Sequence, residues 1–92
     1  MEINITNKEK EFLIEIAKDD IISDYGWNSE MAATWVDYVA KKFKGKVRSG
    51  IMSSLNEKGI IDTNGETLQL TSRGRTLLDH LSSDEPELLK YK

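Results

Sequence analysis

The residues with the most evident chemistry are the cations of one short segment. Residues 41–58 contain five Lys and one Arg but a single acid, Glu57, which gives the segment a net charge of +5. Residues 1–40 carry −6 and residues 59–92 carry −2, so the whole chain of 92 residues has a net charge of −3. Charges are screened beyond about 8 Å at physiological salt, so an acidic protein can still bind a polyanion through one basic segment. The distribution of charge therefore favours a phosphate-rich partner.

A helix predicted over residues 46–58 would present several of these side chains together. At about 100° per residue, Val47, Ile51 and Leu55 fall on one face and polar side chains fall on the opposite face. In a major groove, Arg48 or Lys46 can pair with guanine and Asn56 with adenine, and Ser49 and Ser53 can contact a base or a phosphate. Lys41, Lys42 and Lys44 would hold phosphates without reading sequence. The predicted DNA-contacting residues are Lys41, Lys42, Lys44, Lys46, Arg48, Ser49, Ser53 and Asn56. The alternative is that the lysines only cap the preceding helix and that the polar face is simply solvated.

Other kinds of site find little support in the composition. His80 is the only histidine and there is no cysteine, so neither a His/Cys metal set nor a Cys–His or Ser–His–Asp arrangement is available. No glycine-rich phosphate loop follows a predicted strand. We therefore expect no enzymatic activity, no cofactor and no metal. The lack of cysteine, of a secretory signal and of an apolar run of about 20 residues indicates a cytoplasmic domain.

Two helices are predicted ahead of the basic segment. Thr6 and Glu9 have the spacing of a capping box and start the first helix. A second helix is predicted over residues 28–44 and ends at Gly45. Its buried stripe would consist of Met31, Trp35, Val36, Val39 and Phe43. In the loop before it, Trp27 either folds back over the edge of the core, which we favour, or forms an exposed recognition surface.

A tight hairpin and another helix are predicted after residue 58. The Asn64–Gly65 pair predicts a type I′ turn, which requires a positive φ at both positions. Thr71 is the expected N-cap of the last helix. Residues 84–92 are predicted to be a polar linker and a short tail, which either frays or docks on the domain or on a partner. The two strands and the last helix are predicted over residues 60–62, 67–70 and 72–81.

The junctions between these elements resemble those of winged helix-turn-helix domains. Residues 54–61, Ser-Leu-Asn-Glu-Lys-Gly-Ile-Ile, are similar to the LxxKGxI/V junction between a reading helix and its wing. Residues 70–78, Leu-Thr-Ser-Arg-Gly-Arg-Thr-Leu-Leu, are similar to the LTxxGxxLL opening of the helix after the wing in the multiple-antibiotic-resistance regulator family. The resemblance covers residues 6–81. It implies an α+β, mainly helical winged helix-turn-helix in residues 1–83, with the order α-α-α-β-β-α.

Two features depart from that family. The predicted wing tip contains Asp62 and Glu66, where wings that touch DNA commonly carry Arg or Lys. The chain also lacks the long terminal helices with which that family dimerises, so the oligomeric state is left open. Arg73 and Arg75, at the start of the last helix, are expected to be solvated, with a phosphate contact as the alternative.

The expected function is sequence-dependent binding of double-stranded DNA by a small bacterial or phage transcriptional regulator, with helix 46–58 in the major groove. The alternative is a protein-interaction module of the same fold, in which an acidic domain binds or inhibits a protein partner. The basic segment favours the first function. The acidic wing and the negative net charge favour the second. The operator, the regulated process and the sign of regulation are left open.

Overall fold

The computed structural model describes residues 4–92, except for the side chain of Ala40. Within that range the chain forms five α-helices, a three-stranded antiparallel sheet and two 3-10 helices, which confirms the prediction of an α+β, mainly helical domain. A 3-10 helix, Ala40–Lys42, follows the third α-helix, and another, Pro86–Tyr91, follows the fifth. No helix in residues 4–92 has both the length and the apolar character that a membrane span requires. The other elements are α1 (Asn7–Lys18), α2 (Asp20–Tyr25), β1 (Ala33–Trp35), α3 (Val36–Val39), α4 (Gly45–Glu57), β2 (Ile61–Thr63), β3 (Thr67–Leu70) and α5 (Ser72–Leu81).

α1 begins at the capping box predicted from Thr6 and Glu9. The Thr6 side chain accepts a hydrogen bond from the backbone N–H of Glu9 (3.1 Å), and the Glu9 carboxylate accepts one from the backbone N–H of Thr6 (2.8 Å). Each side chain thereby satisfies a backbone donor that has no partner within the first turn of a helix. Phe12, Leu13 and Ile16 are fully buried, so α1 packs the face that carries them against the core.

β3 lies between β1 and β2, and both pairs are antiparallel. Leu68 in its middle pairs with Thr34 of β1 and with Thr63 of β2. Leu68 and Leu70 are buried whereas Gln69 between them is exposed, as expected where successive side chains of a strand point to opposite faces. One face of the sheet therefore covers the core, and the other faces solvent.

The helix predicted over residues 28–44 is wrong in its first half. That half forms a turn and then β1, and helical structure begins only at Val36. Met31 and Trp35, predicted to be buried, are 72% and 50% exposed, whereas Val36 and Phe43 are buried as predicted. The cause is the pairing of β1 with β3, because β-branched and aromatic residues such as Thr34 and Trp35 fit well in a sheet. This pairing overrides the helical spacing of the apolar residues. The predicted order α-α-α-β-β-α therefore omits two elements of the structure, the short helix α2 and the strand β1.

β2 and β3 form the predicted hairpin, but its turn is not type I′. Gly65 has a φ of +96°, whereas no non-glycine residue described here, Asn64 included, has a positive φ. Asn64 instead uses its side chain, whose Oδ1 accepts hydrogen bonds from the backbone N–H groups of Glu66 (2.9 Å) and Thr67 (3.0 Å). The asparagine side chain therefore replaces a backbone acceptor in the turn.

α5 begins at Thr71, as predicted, and lies close to the hairpin. The Thr71 hydroxyl accepts a hydrogen bond from the backbone N–H of Gly74 (3.1 Å). A Cβ atom at Gly74 would clash with the backbone carbonyl oxygen of Ile60, so only glycine permits this approach of helix and strand. The Thr and the Gly of the LTxxGxxLL pattern therefore both have structural roles in this chain.

The C-terminal 3-10 helix packs on the domain itself. Leu88 is fully buried, and its carbonyl accepts a hydrogen bond from the indole N–H of the equally buried Trp27 (2.8 Å). The backbone N–H of Trp27 donates to the carbonyl of Tyr91 (2.9 Å). The prediction that Trp27 folds back over the core is confirmed. The open question about residues 84–92 is answered for Leu88, whereas Leu89 remains 54% exposed.

Candidate nucleic-acid interface

α4 corresponds to the helix predicted over residues 46–58 and is shifted by one residue at each end. Its buried side chains are Ile51, Met52 and Leu55. Val47, predicted on the buried face, is 49% exposed, because the chain around the first turn, residues 44–47, is exposed throughout. α4 is therefore held to the core by its middle and its C-terminal half, and its N-terminal turn stands free.

The predicted polar face of α4 is in solvent. Lys46, Ser49, Ser53 and Asn56 are all exposed, and their spacing of three and four residues aligns them along one side of the helix. Asn56 is tied at its Oδ1, which accepts a hydrogen bond from the backbone N–H of Thr63 in β2 (3.3 Å). The amide N–H groups of Asn56 make no hydrogen bond to β2. Because the bond at Oδ1 fixes the orientation of the side chain, it also fixes the direction of these N–H groups.

Four of the five lysines of the basic segment lie before α4 or in its first turn. Lys41 and Lys42 belong to the 3-10 helix, Lys44 is the N-cap of α4, and Lys46 follows in its first turn. All four are exposed, and Lys42 Nζ lies 3.7 Å from an Oε1 of Glu15. Lys41 and Lys42 thus lie in the last turn of the helical segment before α4, as the capping alternative has them, whereas Lys44 and Lys46 lie at the N-terminus of α4.

The first turn of α4 carries an unbalanced positive charge. A helix N-terminus has about half an elementary positive charge, which acidic or capping side chains usually balance. α4 has no acidic residue in its first turn, and Lys44 at the N-cap position makes no side-chain hydrogen bond. Lys44 and Lys46 add two further positive charges there. An anion beside this turn would be attracted by the helix dipole and by both lysines.

Arg48 is held by a carboxylate of the neighbouring helix. Its Nη1 lies 3.5 Å from Oδ1 of Asp37 in α3. The Arg48 side chain is 33% exposed and that of Asp37 is 88% exposed, so the pair is open to solvent on the Asp37 side. Asp37 lies in the part of the predicted second helix that is helical, but no local pattern in the sequence indicates that its carboxylate lies beside Arg48.

The β2–β3 hairpin brings no positive charge to this side of the molecule. Asp62 and Glu66 are exposed, and residues 59–72 contain neither Lys nor Arg. Arg73 and Arg75 each donate from Nη1 to a backbone carbonyl oxygen, at 3.0 and 3.1 Å. Both arginines therefore have partners within the domain, and the tip of the hairpin is acidic.

A buried carboxylate fixes the C-terminal end of α4. Glu9, only 3% exposed, accepts hydrogen bonds from Lys58 Nζ (2.8 Å) and Ser54 Oγ (2.7 Å) in addition to the bond from Thr6. Burial by itself would raise the pKa of Glu9, but the hydrogen bonds from Lys58, Thr6 and Ser54 together lower it to about 2. The ionised carboxylate thus ties α1 to α4. The capping box indicated Glu9, whereas nothing in the sequence indicated its partners in α4.

Comparisons with protein-family models, curated proteins and solved structures find no match to this chain. Among residues 4–92, no group of three or more His, Cys, Asp or Glu side chains is placed to hold a metal ion. The chemistry of the candidate interface therefore follows from this chain's own residues. They are the lysines at the first turn of α4, Lys44 and Lys46, and the exposed polar stripe along α4, which consists of Lys46, Ser49, Ser53 and Asn56.

Proposed function

We propose that this domain is a winged helix-turn-helix that binds double-stranded DNA with α4 in the major groove. The element order supports the proposal. α3 and its 3-10 extension are separated from α4 by residues 43 and 44 alone, which is a connection short enough for a helix-turn-helix. The β2–β3 hairpin follows α4 directly, in the position of a wing.

The observation that carries the proposal is the joint presence of uncompensated cations at the start of α4 and of an exposed polar stripe along it. Lysines ahead of a reading helix hold phosphates and set its register, and polar side chains along it meet base edges. Arg48 and Asn56 are the residues best suited to read guanine and adenine. Each already has a partner in the domain that restricts its orientation.

In this proposal the binding depends on sequence and serves transcriptional control by a small regulator. The domain acts by binding alone, with no catalytic step and no cofactor. Lys41, Lys42, Lys44 and Lys46 contribute affinity without sequence preference, and the residues of the stripe contribute the preference. The acidic hairpin tip would then stay away from the phosphates, because its carboxylates would be repelled.

Fluorescence anisotropy with random double-stranded DNA at about 50 and 200 mM salt tests the proposal. On random DNA, which offers no fixed guanine, Arg48 counts with the four lysines as a phosphate contact, and five such contacts predict a slope of about −4.5 in log affinity against log salt. The affinity should then fall by roughly 500-fold across this range. No binding at the lower salt concentration by folded protein would contradict the proposal.

A pair of charge-matched variants distinguishes a defined interface from a general effect of charge. Lys44→Glu with Lys46→Glu should abolish binding, because both exposed lysines flank the first turn of α4. Lys8→Glu with Lys90→Glu changes the net charge equally at two exposed lysines of other elements and should leave most of the affinity. Equal losses in the two variants would mean that DNA responds only to the total charge of the protein.

A second candidate function is that of a protein-interaction module. It is favoured by the exposed carboxylates of the hairpin tip, Asp62 and Glu66, and by a long acidic stretch of the chain that precedes the lysines. If the anisotropy experiment above detects no DNA binding, the protein-interaction function becomes the better supported of the two.

A further inference from the structure

Exposed aromatic and methionine side chains are concentrated in one part of the chain. In residues 4–92, six large hydrophobic side chains are about half-exposed or more, and four of them lie between residues 25 and 38. Single exposed apolar side chains are normal on a protein surface. Aromatic residues and Met, however, are the types that are enriched where proteins meet. These four are Tyr25 (58%), Met31 (72%), Trp35 (50%) and Tyr38 (53%).

The same part of the chain is acidic. Residues 19–40 contain five carboxylates and neither Lys nor Arg. Asp19 is occupied as the N-cap of α2, where its Oδ2 accepts two backbone N–H bonds, and Asp37 pairs with Arg48. Asp20, Asp24 and Glu30 are exposed, and none of them is among the ion pairs formed within residues 4–92. The part of the chain that carries the exposed aromatic rings therefore also carries three carboxylates without an ion-pair partner in the described residues.

Ile21 of α2 lies between two depressions in this region. One has a volume of about 210 Å³ and is lined by Ile21, Ala33, Thr34, Trp35 and Thr67. The other has a volume of about 400 Å³, and its lining includes Ile21, Tyr38, Val39, Asp20 and Lys42. Tyr25 is four residues beyond Ile21 and so lies on the same side of α2. The two depressions share Ile21 as a lining residue and are taken together as one groove, in which Trp35 lines the smaller depression and Tyr38 the larger.

Three lysines line the larger depression together with three carboxylates; Lys18 and Lys42 have carboxylate partners, whereas Lys41 is in none of the ion pairs formed within residues 4–92. Lys18 Nζ lies 2.6 Å from Glu87, and Lys42 Nζ lies 3.7 Å from Glu15. The carboxylates of Asp20 and Asp24, which are four residues apart and thus neighbours on α2, have no such partners within the described residues. The groove is therefore open to cations along its α2 side.

We infer that this acidic aromatic surface (Ile21, Tyr25, Trp35 and Tyr38 with Asp20 and Asp24) binds a protein segment that carries Lys or Arg around an apolar side chain. The depression beside Trp35 has room for one large apolar side chain. The carboxylates attract the neighbouring cations, and the exposed rings of Trp35 and Tyr38 can stack on them. Asp20 and Asp24 would repel double-stranded DNA from the α2 side of this surface, whereas Lys41 and Lys42, which also line the larger depression, belong to the proposed DNA interface. This surface therefore serves a second, basic protein partner and goes beyond the proposed binding of DNA.

The test uses a short synthetic peptide of Arg, Leu and Ser, added to the isotope-labelled full chain and followed by NMR. The indole N–H signal of Trp35 and the backbone signals of α2 should shift, and the affinity should fall as salt is added. A peptide in which Glu replaces Arg should cause no shifts. Shifts confined to other elements, or shifts of these same signals by random double-stranded DNA, would overturn the inference.

Two variants locate the contact. Trp35→Thr places a residue of high strand propensity in β1 and should weaken peptide binding at least about fivefold, as expected for a central aromatic anchor. Asp20→Asn with Asp24→Asn should weaken binding and reduce its salt dependence. Val47→Ala is the matched control, because Val47 is 49% exposed but lies on α4. Equal effects of Trp35→Thr and Val47→Ala, with normal circular dichroism in both, would contradict the inference.

The two proposals can fail separately. The Lys44→Glu and Lys46→Glu variant, which should lose DNA, should bind the peptide with unchanged or higher affinity. The Trp35→Thr variant, which should lose the peptide, should retain the affinity of the wild type for DNA.

Discussion

Replacing Glu9 by Gln should reveal how strongly α1 holds the C-terminal end of α4. The pKa of Glu9 is about 2 in the folded protein, compared with 4.5 for an unperturbed Glu side chain. Because the folded pKa is the lower one, the ionised carboxylate stabilises the fold. This stabilisation is fully present above the unfolded pKa and is lost as the pH falls through the folded pKa. A difference of about 2.5 pKa units at 1.36 kcal/mol per unit corresponds to about 3 kcal/mol.

Urea unfolding followed by circular dichroism between about pH 7 and pH 2 measures this contribution. Near neutral pH we expect Glu9→Gln to be about 3 kcal/mol less stable than the wild type, since Lys58 and Ser54 lose a charged acceptor. Below about pH 4.5 the wild type should lose its advantage, so that the two stabilities converge near pH 2. Glu87→Gln is the control, because Glu87 pairs with Lys18 at the surface and its loss should change little.

A stability difference that is the same at neutral and acid pH would refute this reasoning. Such a result would mean that Gln packs badly at position 9 and that the charge of Glu9 is unimportant. Lys58→Met gives an independent check, because the hydrogen bond from Lys58 is the strongest influence that lowers the pKa of Glu9. This variant should shift the acid-sensitive range of stability to higher pH.

Three other substitutions have defined expected outcomes. Asp37→Asn removes the carboxylate beside Arg48, so the affinity for random DNA in an anisotropy titration should rise severalfold, and no change would place Arg48 outside the interface. Thr34→Val removes a buried hydroxyl that has no hydrogen-bond partner among the described residues, so urea unfolding should show a gain of about 1 kcal/mol, whereas a loss would reveal a partner. Gly74→Ala sets a methyl group against the Ile60 carbonyl, and the overpacking cost of about 1–3 kcal/mol should exceed the helix preference of Ala, about 1 kcal/mol. An unchanged melting temperature would mean that α5 moves away without cost.

The sequence predicts the fold well where neighbouring residues decide the structure. The capping box of Thr6 and Glu9, the N-cap at Thr71 and the alternation of residues 67–70 each depend on side chains a few positions apart. The turn at Asn64 shows the limit even of short-range signals. Its side chain competes with the backbone for the same donors, and the side chain prevails.

Prediction from the sequence fails where the structure of a segment depends on residues that are distant in the chain. Trp35 has a helical spacing relative to Val39, yet its pairing with Thr67 of β3 makes it part of a strand with an exposed ring. Trp27, in an apparently open loop, is buried because Leu88 reaches it from the C-terminal segment. The exposed lysines and the polar stripe follow from the charge pattern and the helical period. The contact between Arg48 and Asp37 depends on how two helices meet, which no local pattern contains.

The docking of the C-terminal 3-10 helix also bears on how the protein is made. The hydrogen bond between Trp27 and Leu88 joins residues 61 positions apart, and the ion pair between Lys18 and Glu87 joins residues 69 apart. At about 5–20 residues per second, translation leaves Trp27 without these contacts for roughly 3 to 12 seconds. During that interval the indole ring of Trp27 lacks the cover that the 3-10 helix provides. The part of the core around Trp27 can therefore complete its packing only after the 3-10 helix has emerged from the ribosome.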